Sequence, residues 1–461
     1  MKNIYFILFF LLFSIFSIHS QVSREKAFDI VKKEILKDNT DNIHLYANKD
    51  IIPASFSIKT MSNDVISPKF SSWMFFLDED PYQNWGHPAK FIFVDQNGQY
   101  EIIAHNYPPS LSSMDILIEK KIDIPAYKYK ITEKSKVSPK NITTANNEYA
   151  VIISGGWNKE NNYERYWNDC SFIYSTLIHE YGYSKSHIYV LMADGTNSAA
   201  DRRRLNGTYD SSPLDLDGDG VADIGFSATR ANITAVFNTL SNTLTANDNL
   251  FIFTTDHGGR NSGNSVYMCL WNETKIQDTE FATEVNKVTA KSINIVMKQC
   301  NSGGFIDNLA AANRVIATAC EYDESSYAMP PNYQFNEFVY YWTSAVAGET
   351  PFGTAVNADV NADGYISTHE TFQYAKNHDT RSESPQYSSS PSSFGNELCL
   401  IGFIPAITGS NVVYSTPITF TLNDSYVGNW SVTNGFQITS NPTNVNSVTV
   451  MPTRYNGQGE H

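Results

Sequence analysis

The apolar positions of this chain change their period along its length. In REKAFDIVKKEILKD (24–38), Phe28, Ile30, Val31, Ile35 and Leu36 fall near one face of a helix. Short alternating runs follow in SSWMFFLDED and AKFIFVDQNGQYEIIAHNY, the second folding back at Gln96-Asn97-Gly98, a hairpin turn signal. Residues 21–132 therefore predict a small α+β module, and nothing in it has the spacing of metal ligands or of a nucleophile with its base. EKSKVSPKNITTANN (133–147) is polar and aperiodic, the pattern of an exposed linker open to cleavage at Asn141, Asn146 or Asn147.

From Tyr149 onward, near-continuous apolar runs alternate with amphipathic ones. YAVIISGG, HIYVLMADG, NLFIFTTDHGG, INIVMKQCNSGG and RVIATACEYD read as strands buried on both faces. NNYERYWNDCSFIYSTLIHEYG and TRANITAVFNTLSNTL read as helices between them. That alternation predicts an α/β fold over 148–405, a parallel sheet with helices on both faces. Ligands bind such sheets outside the carboxyl ends of the strands. Residues 406–461 turn rich in Thr, Asn, Ser and Val with period-two alternation, which predicts strands of a partial β-sandwich.

Composition narrows the function. A net charge of -15 without a clustered basic face argues against nucleic acid as a partner. Lys2, the apolar stretch from Ile4 to Ile18 and the polar continuation after Ser20 form a signal-peptide pattern over 1–20, and the stretch falls short of the ~20 apolar residues of a membrane span. The expectation is an exported protein, secreted, periplasmic or held at the cell surface, with no membrane span in its mature form. Export permits disulfides, but Cys170, Cys269, Cys300, Cys320 and Cys399 are odd in number and widely spaced, so at least one thiol stays free.

A thiol attacks as its thiolate, so a cysteine nucleophile needs a base beside it and donors where the oxyanion forms. His257 and Cys300 each end an apolar strand and each leads into glycines, Gly258-Gly259 and Gly303-Gly304. If the two strands are neighbours, His257 is the base, Cys300 the nucleophile, and the amides of Gly258 and Cys300 the oxyanion donors. The phrases Thr255-Asp256-His257-Gly258 and Cys300-Asn301-Ser302-Gly303, with ATACEYDESSYA (317–328) and the stretch from Ser154 to Tyr163, resemble the legumain-like cysteine peptidases, family C13, of the caspase and gingipain clan. The phrases occur in the family's order and span roughly 148–345.

The resemblance implies a caspase-like fold, protein or peptide substrates and an acyl-enzyme. It implies that an asparagine of the first loop, taken as Asn162, orients the histidine, and that the segment holding Ser325 and Ser326 walls the primary specificity pocket. Glu337 falls near the family's pocket aspartate, and Glu164 or Arg165 near its pocket arginine. Lys298 stands where the family carries a pocket glutamate, so a preference for asparagine does not simply carry over.

Two loops are rich in oxygen ligands. DVNADGYISTHE (359–370) presents Asp359, Asn361, Asp363, the Tyr365 carbonyl, Ser367 and Glu370 at the positions of a twelve-residue calcium loop, with Gly364 at its turn. DLDGDGVAD (215–223) repeats the front half with Asp215, Asp217, Asp219, the Val221 carbonyl and Asp223. Together these readings predict a secreted, calcium-stabilised cysteine endopeptidase without an organic cofactor, made as a zymogen in which residues 21 to about 147 act as an intramolecular prodomain over the cleft. The alternatives are a transamidase that hands the same acyl-enzyme to an amine, and a catalytically inactive binding protein on the same fold.

Overall fold

The computed structural model describes residues 22–127 except 63, 147–403 except 262, and 407–453 except 411–415, 423–426 and 434. The signal-peptide pattern, and the linker up to residue 146, lie outside the described residues. The chain divides into two compact units, one of residues 1–81 with 88–120 and the other of 82–87 with 121–461. The division thus falls at Lys120, before the predicted linker, and the short segment Tyr82–His87 belongs to the second unit.

In the first unit, helix α1 (Arg24–Ile30) starts at Ser23, whose hydroxyl accepts the Lys26 N–H. Five strands follow, β1 (His44–Ala47), β2 (Ser72–Asp78), β3 (Ala89–Asp95), β4 (Tyr100–His105) and β5 (Asp115–Glu119), paired antiparallel in the order β4-β3-β2-β1-β5. Alternation sends Phe76, Phe91 and Phe93 to one face, and Phe75, Ile92 and Val94 to the other, where Ala27, Phe28 and Val31 cover them.

The second unit is built on a six-stranded sheet. Its elements are β6 (Glu148–Ser154), α2 (Glu164–His179), β7 (Ile188–Met192), α3 (Arg230–Thr243), β8 (Asn249–Thr255), α4 (Asp278–Val285), β9 (Ser292–Met297), β10 (Arg314–Thr318), α5 (Glu337–Ala347), α6 (Thr368–His378) and β11 (Gln386–Ser390). The order is β11-β10-β9-β8-β6-β7, parallel throughout except for the edge strand β11.

Both faces of this sheet are covered, as continuous apolar strands require. Ile152, Val190, Phe251 and Phe253 pack with Ile173 and Leu177 of α2, Phe338 and Trp342 of α5 and Phe372 of α6. The alternate residues Val151, Ile153, Leu250, Ile252 and Ile295 pack with Val236, Phe237 and Leu240 of α3 and Phe281 and Val285 of α4. Each such side chain contributes about 1.5–3 kcal/mol on burial, so the strand ends at the carboxyl edge rest on a stiff support.

The C-terminal residues form strands, as their period-two alternation predicts. Strands Ile407–Thr408, Ile418–Leu422, Phe436–Ile438 and Ser447–Pro452 pair in one four-stranded antiparallel sheet. Among the described residues of this segment, Val448 and Val450 are the apolar side chains that are buried.

Candidate active site

Strand register brings the two candidate groups together. β8 and β9 are parallel neighbours with Thr254 opposite Met297, and the Lys298 N–H continues the ladder to the Thr254 carbonyl at 3.0 Å. His257 and Cys300 follow those partners at the same spacing, so both emerge at one level of the carboxyl edge. The glycine after the histidine lets the backbones close: a Cβ on Gly258 would fall 2.3 Å from the Cys300 carbonyl oxygen. The Cys269 N–H donates to the His257 carbonyl at 3.0 Å and fixes the turn from the far side.

The surroundings of His257 set its tautomer. Its Nε2 lies 3.1 Å from the Asn161 carbonyl oxygen and 3.2 Å from the Tyr166 hydroxyl. A ring nitrogen facing a carbonyl carries the proton, which leaves the lone pair on Nδ1. Nδ1 has no hydrogen-bond partner among the described residues. The ring is fully buried, and burial, with the nearby Arg165 and Lys298, pushes its pKa well below the usual value, so the ring is neutral and its Nδ1 lone pair is free of a proton. The Cys300 sulfur is buried too and accepts the Ser326 N–H at 3.3 Å.

Buried polar groups pack around the sulfur. Arg165, fully buried in the first turn of α2, is held by its Nε donating to Asn336 Oδ1 at 3.1 Å, and its guanidinium lies 4.2 Å from the Tyr163 ring centroid. The segment Tyr82–His87 occupies the space where the pocket is expected. Arg165 Nη2 and the Tyr166 hydroxyl donate to Asn84 Oδ1 at 2.9 and 2.5 Å, and Asn84 Nδ2 donates to the Ser326 carbonyl at 2.6 Å. Donors on one side and a carbonyl on the other complement a carboxamide. Gln83 brackets Ala328, accepting its N–H at 2.7 Å and donating to its carbonyl at 3.3 Å. Trp85 stacks on the His257 ring, centroids 4.2 Å apart and planes at 11°, while its Nε1 donates to Asn161 Oδ1 at 2.8 Å.

The model of the Peptidase C13 family matches residues 148–391. The chain belongs to the peptidase C13 family. Membership makes it a cysteine peptidase in general, with proteins as the implied substrates. No curated protein matches it. Among solved structures, protein GSU0716 from Geobacter sulfurreducens is similar at 11% identity and a TM-score of 0.32, over 52% of this chain and 92% of that one.

The contact to His257 comes from the Asn161 backbone carbonyl, one residue before Asn162, whose side chain instead donates to the Asp201 carbonyl at 2.8 Å. Of the two residues weighed for the pocket cation, Arg165 lines the pocket, and Glu164 pairs with Arg204 at 2.8 Å. Ser326 is buried against Cys300, and Ser325 is half-buried. Lys298 is fully buried, with Nζ 5.2 Å from the Tyr166 ring centroid, and burial pushes its pKa down to about 8. Glu337 is engaged elsewhere, accepting the Thr380 N–H and hydroxyl at 2.8 and 2.6 Å. Glu383 is buried as well, and burial and Asp379 raise its carboxyl well above the usual value. Neither Glu383 nor the Tyr82–His87 segment was singled out from the sequence.

The two oxygen-rich loops differ. Asp215, Asp217 and Asp223 bring one carboxylate oxygen each within 4.8 Å of the others, a donor set that fits a hard cation. Lys185 Nζ lies 2.8 Å from Asp217, 3.0 Å from Asp219 and 3.0 Å from Asp223, and Val221 donates its N–H to Asp219 at 2.8 Å. In the second loop, Gly364 and Tyr365 donate their N–H groups to Asp359 and Asp363 at 2.9 and 2.8 Å, and the Asn361 amide reaches Asp363 at 3.0 Å. Glu370 there accepts the Ser367 N–H and hydroxyl and so caps α6.

Proposed function

We propose that this chain is an exported cysteine endopeptidase with Cys300 as nucleophile and His257 as its base. His257 Nδ1 takes the thiol proton, Sγ attacks the peptide carbonyl, and the oxyanion is met by the N–H groups of Gly258 and Cys300. The imidazolium then protonates the leaving amine, and water, activated by the same ring, hydrolyses the thioester. Asn161, through its carbonyl, and Tyr166 hold the ring in the required tautomer. The observation that carries this reading is the shared level of His257 and Cys300 at the ends of paired strands, with Gly258 closed against Cys300.

The finer features belong to the same reading. Residues 21 to about 147 act as a proregion that restrains the enzyme, the pattern at 1–20 directs export, and calcium held by Asp215, Asp217 and Asp223, and by the loop from Asp359 to Glu370, stabilises the fold. Cys300→Ala is the direct test: against a peptide library, hydrolysis should fall by ~10³-fold or more. Hydrolysis that survives the substitution overturns the assignment.

A further inference from the structure

We infer that Tyr82–His87 is a tethered inhibitor, bound where a substrate would lie and held so that it is not cut. This inference rests on the peptidase reading above. The contacts of three residues place the segment in the substrate's position. Asn84 fills the pocket beside Cys300 through Arg165, Tyr166 and Ser326. The Ser326 that receives it also donates its N–H to the Cys300 sulfur at 3.3 Å. Gln83 pairs with both polar backbone groups of Ala328. Trp85 lies flat on the His257 ring.

The segment's own turn explains why occupancy need not mean cleavage. The Asn84 carbonyl, which would have to turn toward Gly258 and Cys300 to be attacked, accepts the Nδ1–H of His87 in the same segment. The next carbonyl, that of Trp85, accepts the His87 N–H at 3.0 Å. Both carbonyls next to the pocket residue are therefore satisfied inside the loop, and an attacked carbonyl must give up such a bond before it can become an oxyanion. Tyr82, Gln83, Asn84, Trp85 and His87 are all buried, so the segment excludes both water and a competing chain.

The test uses the full chain. The rate at which iodoacetamide alkylates Cys300, followed by mass spectrometry of the peptide that contains it, is compared between the parent and Asn84→Ala/Trp85→Ala. Loss of four hydrogen bonds and the ring stack should raise the rate by ~10-fold or more. Adding the free hexapeptide Tyr-Gln-Asn-Trp-Gly-His should slow the variant again, and the same peptide with alanine for asparagine should not. Asn84→Ala alone, which keeps the tryptophan packing, replaces the double variant if that one does not fold. Equal alkylation of the parent and a folded variant overturns the inference while leaving the peptidase reading intact if both hydrolyse peptides. Faster alkylation without hydrolysis of any peptide overturns the peptidase reading, and the inhibitor with it.

Discussion

Asp256 is fully buried at a backbone φ of +120°, a conformation that side chain-bearing residues rarely adopt. Its carboxylate accepts the Gly156 N–H, tying the end of β8 to the first loop. Burial pushes the Asp256 carboxyl up to about 7 and that of Asp169 up to about 6. A raised carboxyl contributes stability that is fully present below its unfolded value of ~3.9 and is lost as pH rises through the folded value. His257 acts with the opposite sign. The unfolded chain binds a proton that the buried ring refuses, so stability falls as pH drops below ~6.5. Asp256→Asn keeps an acceptor for Gly156 and removes the alkaline loss. Urea unfolding should find the variant more stable than the parent by roughly 2 kcal/mol near pH ~8 and about equal near pH ~5. A difference independent of pH contradicts the assignment of the raised carboxyl to Asp256.

At the scale of elements, the close approach of the turn after β8 to the end of β9 is the feature most exposed to a small change. A methyl group at position 258 would meet the Cys300 carbonyl, which is backbone and cannot swing aside. Gly258→Ala should therefore lower stability by ~1–3 kcal/mol and cut kcat/KM by roughly 100-fold as the reacting groups move apart. An unchanged melting curve together with an unchanged rate would show that the turn yields at no cost. The strands themselves were legible in the sequence because a strand buried on both faces is a continuous apolar run, and Thr254 and Met297 end such runs just before His257 and Cys300. The partner of the His257 ring was not, because it is a backbone carbonyl, which every residue has; the asparagine side chains at 161 and 162 point to a polar loop without saying which carbonyl turns inward. Tyr82–His87 read only as the gap between two strands of the first unit. Its role depends on where a hairpin tip lands in three dimensions, and no local period encodes that. Glu383 was missed for the same reason, since it is buried beside Asp379 only through the fold.

The whole molecule carries a net charge of -15, and part of that excess is concentrated where Lys185 meets Asp217, Asp219 and Asp223. The ammonium screens these carboxylates from one another, and the carboxylates raise its own pKa. Lys185→Met should leave the loop dependent on an added cation: in chelator the Tm should drop by ~3 °C or more, and calcium should restore most of it. A variant that melts like the parent in chelator and does not respond to calcium would argue against a cation site at Asp215–Asp223. The paired strands β8 and β9 act at this scale as a vernier. A slip of one residue between them would carry His257 ~3.3 Å past Cys300 and turn alternate side chains onto the opposite face. The alignment of base and thiol is thus gauged by Ile252, Phe253, Ile295 and Val296, all buried in the cores on the two faces of the sheet. Substitutions deep in that sheet should then register as altered turnover before they register as unfolding.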